Sequence, residues 1–123
     1  MKVLVLDTET ASLDTREIED DLDTFYSIIG CDCIDIPVRK IGGKYYDIIC
    51  DDEGLLKSDT IVSAINENTW ETMLVGNLII CNHDDEGNMV GLTDEDIEKI
   101  RQHTTTVMNA CTLAQILVLK VDY

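Results

Sequence analysis

Two carboxylates follow the first apolar run of this 123-residue chain. Asp7 and Glu9 come directly after residues 3–6, which read Val-Leu-Val-Leu. Because residues at positions i and i+2 of a strand lie on the same face, both carboxylates could bind one metal ion. Joined by two further acids, such a pair would hold the two divalent cations that clamp a phosphodiester during hydrolysis.

Residues 7–10, Asp-Thr-Glu-Thr, resemble the first motif of 3′–5′ exonucleases that use four acidic metal ligands. Those enzymes also have a His four or five residues before an Asp on a late helix. Here no acid follows His103 at that spacing, and His83 stands immediately before Asp84 in a turn. A four-residue motif carries little information. A Mg²⁺-dependent exonuclease acting through Asp7 and Glu9 is therefore the third of our three hypotheses, and a polar hairpin loop is the better interpretation.

Cysteine and histidine offer a second set of metal ligands. Cys31 and Cys33 are spaced i, i+2, as are Cys81 and His83, and together the two pairs could bind one Zn²⁺ ion. Small thiols that fill core positions are the commoner fate of free cysteine. The five cysteines are an odd number and follow no secretory signal, which indicates free thiols in a reducing cytoplasm. We expect no metal, no cofactor and no catalytic residue.

Two turns share the sequence Asp-Asp-Glu-Gly, at residues 51–54 and 84–87. Their carboxylates could bind Ca²⁺ or Mg²⁺, but neither turn has the twelve-residue loop of an EF-hand. Turn chemistry explains both, since Asp initiates type I turns and Gly adopts the left-handed conformation. Each follows an apolar run, which indicates one supersecondary unit used twice.

Charge is the most unusual property of the composition. The chain has 9 Lys and Arg against 25 Asp and Glu, a formal net charge of −16. A surface of this sign repels nucleic acids and anionic membranes, because binding to either requires Lys and Arg. It attracts a basic partner and speeds the encounter.

Carboxylates on regular elements can imitate a nucleic-acid strand. Same-face residues of a strand repeat about every 6.6–6.8 Å, and helical residues i and i+4 lie about 6 Å apart. Successive phosphates are separated by a similar distance, on the order of 6–7 Å. The acids that we expect to form a partner-binding surface are Glu17, Glu19, Asp20, Asp21, Asp23, Asp51, Asp52, Glu53, Asp84, Asp85, Glu86, Asp94, Glu95, Asp96 and Glu98.

Hydrophobic spacing predicts a single α+β domain, mainly an antiparallel sheet with two or three short helices packed on one face. Gly42-Gly43 predicts a two-residue hairpin turn, and Thr93 with Asp96 predicts a capping box. The predicted strands cover residues 3–6, 15–18, 31–41, 44–50 and 89–92, with one more inside 73–81, and the predicted helices cover about 20–30, 58–66 and 93–103.

The last twenty residues are ambiguous. We place the core domain at residues 1–103 and treat 104–123 as a C-terminal extension whose pattern fits helix and strand equally. The sequence leaves open whether residues 107–121 pack against a second copy to form a homodimer. No stretch approaches the ~20 apolar residues of a membrane span, so we expect no membrane contact.

Several segments together resemble a known family. They are residues 1–5 (Met-Lys-Val-Leu-Val), the junction Ile-Gly-Cys-Asp at 29–32, the turn at 51–55, and residues 77–80 before the second acidic turn. Over residues 1–102 the chain is similar to domain-of-unknown-function family 3846, small acidic proteins of phages, plasmids and other mobile elements. The resemblance assigns no activity and no site residues, but it implies a protein that acts against host machinery or defence.

Our leading hypothesis is a non-enzymatic anti-defence protein in the cytoplasm of a bacterial host. It would inhibit a basic nucleic-acid-binding protein, such as a CRISPR nuclease or a restriction enzyme, by occupying its nucleic-acid channel. The alternative is a protein that binds and sequesters a small nucleotide signal. That function requires a concave pocket with cationic or amide donors.

Overall fold

The computed structural model describes residues 1–57, 60–108 and 113–122. The strands are β1 (Lys2–Asp7), β2 (Ser12–Glu17), β3 (Ile34–Asp35), β4 (Val38–Ile41), β5 (Lys44–Asp51), β6 (Val62–Asn66), β7 (Thr72–Val75), β8 (Leu78–His83), β9 (Met89–Val90), β10 (Thr104–Met108) and β11 (Gln115–Val121); the helices are α1 (Leu22–Ile29) and α2 (Asp94–Gln102). A 3₁₀ turn spans Gly54–Leu56. Within these ranges no helix is long and apolar enough to cross a membrane.

A large antiparallel sheet forms the middle layer. Its strand order is β2-β1-β8-β5-β3, with β4 also paired to β5 and β9 to β8. Its residues alternate between two buried clusters: Val3 and Val5 face α1, whereas Leu4 and Leu6 face the second sheet. The predicted α+β class with a mainly antiparallel sheet is confirmed.

The two helices lie on opposite faces of the large sheet, so the prediction that they share one face was wrong. Phe25 and Ile29 of α1 pack with the odd-numbered residues of β1, and Ile100 of α2 packs with the even-numbered ones. β1 is apolar on both sides, and each side must be buried. A sheet of this kind needs a cover on both faces.

The small sheet has the order β10-β11-β6-β7, and β11 runs parallel to β6. The helix predicted over residues 58–66 was wrong, because Val62–Asn66 is strand β6; Ser58 and Asp59 lie outside the described residues. β6 lies between β11 and β7, and Ser63, Ala64 and Ile65 are all buried. A central strand buried on both faces has no period of two, which explains the misassignment.

The C-terminal segment belongs to the core. Leu119 and Val121 of β11 are fully buried against the large sheet. The Asp122 backbone N–H donates to the carbonyl of Lys40 at 3.0 Å, which joins the small sheet to β4. Residues 109–112, which include Cys111, and residue 123 lie outside the described residues.

Local signals at turns and helix ends behave as predicted. Gly42 and Gly43 have φ of 57° and 86°, as the hairpin between β4 and β5 requires. Asp21 caps the start of α1, and Gly30 ends the helix in the left-handed conformation with φ of 81°. The capping box at Thr93 is formed.

Candidate functional site

The topology brings acids from separate parts of the chain to one end of the large sheet. β1 begins where β2 ends, because Lys2 pairs with Glu17, and β8 runs antiparallel to β1 and ends beside its start. The Lys2 carbonyl accepts the Leu92 N–H at 2.7 Å, which places the start of α2 at the same end. The acids at this end, here named the acidic end, are Glu17, Glu19, Asp20, Asp21, Asp23, Asp84, Asp85, Glu86, Asp94 and Glu95.

The acidic end is exposed and has few counter-charges. Nine of its ten acids are exposed, and Asp84 is half-buried. Lys2 Nζ lies 2.7 Å from Asp94 Oδ1, and the N-terminal amine lies 3.3 Å from Glu17 Oε2. The hydrogen bond between Lys2 and Asp94 raises the pKa of Lys2 and lowers that of Asp94. Within the described part of the chain, the other eight acids of this end form no ion pair.

Two members of the acidic end, Asp21 and Asp84, also accept hydrogen bonds from nearby backbone N–H groups. Asp21 accepts a 2.7 Å hydrogen bond from the Thr24 N–H, which lowers the pKa of Asp21. Asp84 accepts from the N–H groups of Asn88 at 2.9 Å and Glu86 at 3.0 Å, and the bonds from Asn88 contribute most to the lowered pKa of Asp84. Both carboxylates are ionised at neutral pH, and removing either would destabilise the backbone that it caps, so variants that test binding should keep both.

Asp96 does not belong to the surface that the sequence predicted. Asp96 is only 3% exposed. Its carboxylate accepts hydrogen bonds from Tyr46 Oη at 2.7 Å and Lys44 Nζ at 2.8 Å, and from the Thr93 N–H in the capping box at 3.1 Å. Burial disfavours the charged form, but these hydrogen bonds outweigh burial and hold the pKa of Asp96 well below its usual range. Asp96 is a buried structural acid.

Asp51, Asp52 and Glu53 lie at the other end of the large sheet. β5 ends at Asp51, beside the start of β8. Because β8 has six residues, its start lies about 20 Å from the acidic end. Asp51 is half-buried, accepts from the Glu53 N–H at 3.0 Å and forms an ion pair with Lys57. The acidic turn at residues 51–54 therefore lies far from the acidic turn at residues 84–87.

The regular spacing expected of a phosphate mimic occurs on one element. Glu98 of α2 is exposed, three and four positions after Glu95 and Asp94, the separation that places helical side chains about 6 Å apart. Of the predicted acids in strands, Glu17 and Asp51 stand at strand ends. The remaining members of the acidic end lie in connecting segments or at helix starts. The acidic end is therefore a cluster of negative charge and not a regular row like the phosphates of a nucleic-acid strand.

A cleft of about 450 Å³ lies at the end opposite the acidic end. Its lining includes Glu9, Gly30, Asp51, Lys57 and Asn77. Because the ammonium of Lys57 is paired with Asp51, a phosphate group in this cleft would face two carboxylates. Of the cationic and amide donors that a nucleotide signal requires, Lys57 is thus already paired, and the Asn77 amide already donates to the Ile28 carbonyl at 3.2 Å.

The Asp7 carboxylate takes part in a turn. It accepts hydrogen bonds from the N–H groups of Glu9 at 2.9 Å and Thr10 at 3.3 Å, which closes the hairpin between β1 and β2. Among the described residues, no three His, Cys, Asp or Glu side chains come close enough to hold a metal ion. The polar hairpin interpretation of this segment agrees with these contacts.

The two Cys/His pairs lie apart. Cys31 and Cys33 follow the end of α1, whereas Cys81 and His83 lie on β8 near the acidic end. Burial raises the pKa of Cys81 to about 12, so this thiol is neutral and unreactive at physiological pH. His83 Nδ1 lies 3.1 Å from Asp47 Oδ1, a contact that the sequence did not predict because Asp47 comes from β5, 36 residues earlier.

Comparison with known families identifies the chain. The model of a family described as a domain of unknown function, DUF3846, matches residues 1–105, and the chain belongs to this family. No curated protein matches the chain, and no solved structure matches it either.

Proposed function

We propose that this member of DUF3846 is a non-enzymatic inhibitor that uses its acidic end to occupy the nucleic-acid-binding groove of a basic protein. The observation that carries the proposal is the convergence of ten acids from three separate stretches of the chain on one end of the sheet. Carboxylates in this position would contact the Lys and Arg side chains that otherwise bind phosphates. The inhibitor would compete with nucleic acid without cleaving it.

The partner that we propose is a host defence protein, such as a CRISPR nuclease or a restriction enzyme. The mobile-element context implied by the family resemblance supports this choice, and so does the large net negative charge. With a net charge of −16, encounter with a basic groove would be electrostatically steered and fast at low salt. We place this interaction in the cytoplasm of the host cell.

The nucleotide-binding and nuclease hypotheses have weaker support. The large cleft presents Glu9 and Asp51 to any phosphate, and its Lys57 is already paired. Asp7 is engaged in its own turn. Neither hypothesis has a feature comparable to the acidic end.

Two variants with equal charge test the proposal. The first neutralises five exposed members of the acidic end, Glu19→Gln, Asp20→Asn, Asp85→Asn, Glu86→Gln and Glu95→Gln, and leaves the turn-forming Asp21 and Asp84 intact. The control neutralises five exposed acids elsewhere, Glu9→Gln, Asp14→Asn, Asp32→Asn, Asp52→Asn and Glu53→Gln. Each variant changes the net charge from −16 to −11.

The measurement is capture of proteins from a bacterial lysate that contains defence systems, at about 50 and 500 mM salt, with identification by mass spectrometry. We expect the wild type and the control to retain a basic nucleic-acid-binding protein at low salt and to lose it at high salt. The acidic-end variant should retain at least about tenfold less. Equal retention by both variants would reject the acidic end as the interface.

A further inference from the structure

Strand β10 forms an open edge of the small sheet. Its sequence, Thr-Thr-Thr-Val-Met, has no charge and no proline, although 28% of the chain is charged. One edge of β10 pairs with β11, and within the described residues no segment pairs with its other edge. The edge strand β2, by contrast, carries Asp14, Arg16 and Glu17. An edge without charge, proline or bulge is the kind that pairs with another strand.

One hydrogen bond establishes which β10 residues face outward. The Lys120 N–H donates to the His103 carbonyl at 2.7 Å, one pair before β10 in the same register. Hydrogen-bonded pairs alternate along an antiparallel ladder, so Thr105 and Val107 direct their backbone groups to β11. The residues that direct N–H and C=O groups to the open edge are Thr104, Thr106 and Met108.

We propose that two copies of the chain form a homodimer by antiparallel pairing of their β10 strands, with Thr106 facing the same residue of the second copy on a two-fold axis. In this register, Thr104 of each copy lies opposite Met108 of the other copy. Each of the three facing pairs exchanges two hydrogen bonds, so this register satisfies every outward-facing backbone group. The two small sheets join into one continuous sheet.

A groove beside the edge receives the side chain that this register delivers. The groove has a volume of about 250 Å³ and is lined by Leu13, Arg101, Thr104 and Leu117. Met108 is 63% exposed and points to the same face of β10 as Thr104. In the dimer, Met108 of each copy lies beside Thr104 of the other and fills the groove with its flexible thioether chain.

The fit of Met108 beside Thr104 and the groove argues for a second copy as the occupant of this edge, and the absence of charge on β10 permits the approach. A basic partner is drawn to the acidic end, whereas β10 offers it no carboxylate. Two copies repel each other through their net charge of −16, and an uncharged patch is where they can approach most closely. Salt screens this repulsion and strengthens the dimer, the opposite of its effect on binding at the acidic end. The five-residue edge makes an interface below the standard ~800 Å² per partner, so the dimer is weak and forms only at high protein concentration.

Sedimentation equilibrium of the full chain tests the dimer between about 10 µM and 1 mM protein, at about 50 and 500 mM NaCl. We expect the mass to rise from 13.8 kDa towards twice that value with protein concentration, and at lower concentration in high salt. Thr106→Lys places two ammonium groups on the two-fold axis and should raise the dimer dissociation constant at least about tenfold. Since this substitution lowers the net negative charge by one, general repulsion cannot explain the loss.

Thr72→Lys is the matched control, because Thr72 is exposed on β7, the other outer strand of the same sheet, and its dimer constant should match the wild type. Met108→Ala empties the groove and should weaken the dimer about fivefold. It also decides the outcome if thermal unfolding shows that Thr106→Lys does not fold. A monomer under all conditions, a dimer weakened by salt, or a dimer that Thr106→Lys and Met108→Ala leave unchanged would overturn the proposal.

Discussion

At the scale of single residues, Asp96 connects the start of α2 to strand β5. Its carboxylate binds Lys44 and Tyr46 of β5 and the Thr93 N–H at the start of α2. A buried charge is tolerated only when it is paired and hydrogen-bonded, and these contacts meet that requirement. Asp96 therefore fixes α2 against the large sheet.

Asp96→Asn should lower the free energy of unfolding by about 2–3 kcal/mol at neutral pH, because charge-assisted hydrogen bonds become neutral ones. Glu95→Gln, on the same helix turn but exposed, should change it by less than about 0.5 kcal/mol. Urea denaturation of the three proteins measures both values. Equal stability of Asp96→Asn and wild type would contradict the assigned role.

The same carboxylate predicts a pH dependence. The folded pKa of Asp96 is lowered, so its contribution to stability is present above the unfolded pKa of about 3.9 and is lost as pH falls towards the folded value. The stability difference between wild type and Asp96→Asn should be constant from about pH 5 to 8 and should shrink below about pH 4. A difference that grew on acidification would contradict this sign.

The sequence predicted the capping role of Asp96 but not its burial. A capping box is read from residues three positions apart, whereas Lys44 and Tyr46 are 52 and 50 residues away. The same limit applies to Asp47, whose contact with His83 joins two strands. Interactions between neighbours in sequence were predictable, and those that depend on strand order were not.

At the scale of elements, β11 contributes more to the fold than its position outside the family match suggests. The match ends at residue 105, yet β11 pairs with both β6 and β10. Leu119 is fully buried, and full burial of such a side chain is worth about 1.5–3 kcal/mol. The small sheet depends on this strand.

Leu119→Ala should therefore destabilise the protein by about 2–5 kcal/mol, the cost of a buried cavity. Leu113→Ala, in the same segment but 72% exposed, should change stability by less than about 0.5 kcal/mol. Thermal or urea unfolding compares the two. A small effect of Leu119→Ala would contradict the contribution assigned to this side chain.

Elements with strong local signals were predicted well. α1 has a capping Asp and a terminal Gly, and the β4–β5 hairpin has its two glycines. β6 was misassigned because a strand buried on both faces resembles a helix in hydrophobic spacing. The parallel pairing of β11 with β6 joins residues more than 50 positions apart, for which sequence has no local signal.

At the scale of the whole molecule, the acidic residues were identifiable from sequence but their grouping was not. The antiparallel order of β1, β2 and β8 places ten acids at one end, and the turn at Asp51 at the other. The two proposals therefore predict opposite responses to salt. Binding of a basic partner at the acidic end should weaken as salt rises, and association through the β10 edge should strengthen.

The most direct test of the account is competition between this chain and duplex DNA for the purified basic protein that it captures. We predict that added DNA raises the apparent Kd of the complex in proportion to its concentration, and that log Kd rises linearly with log salt. The five-charge acidic-end variant should show a shallower salt dependence than the equally charged control. A complex that DNA leaves intact, or one in which both variants bind like the wild type, would contradict the claim that the acidic end occupies a nucleic-acid groove.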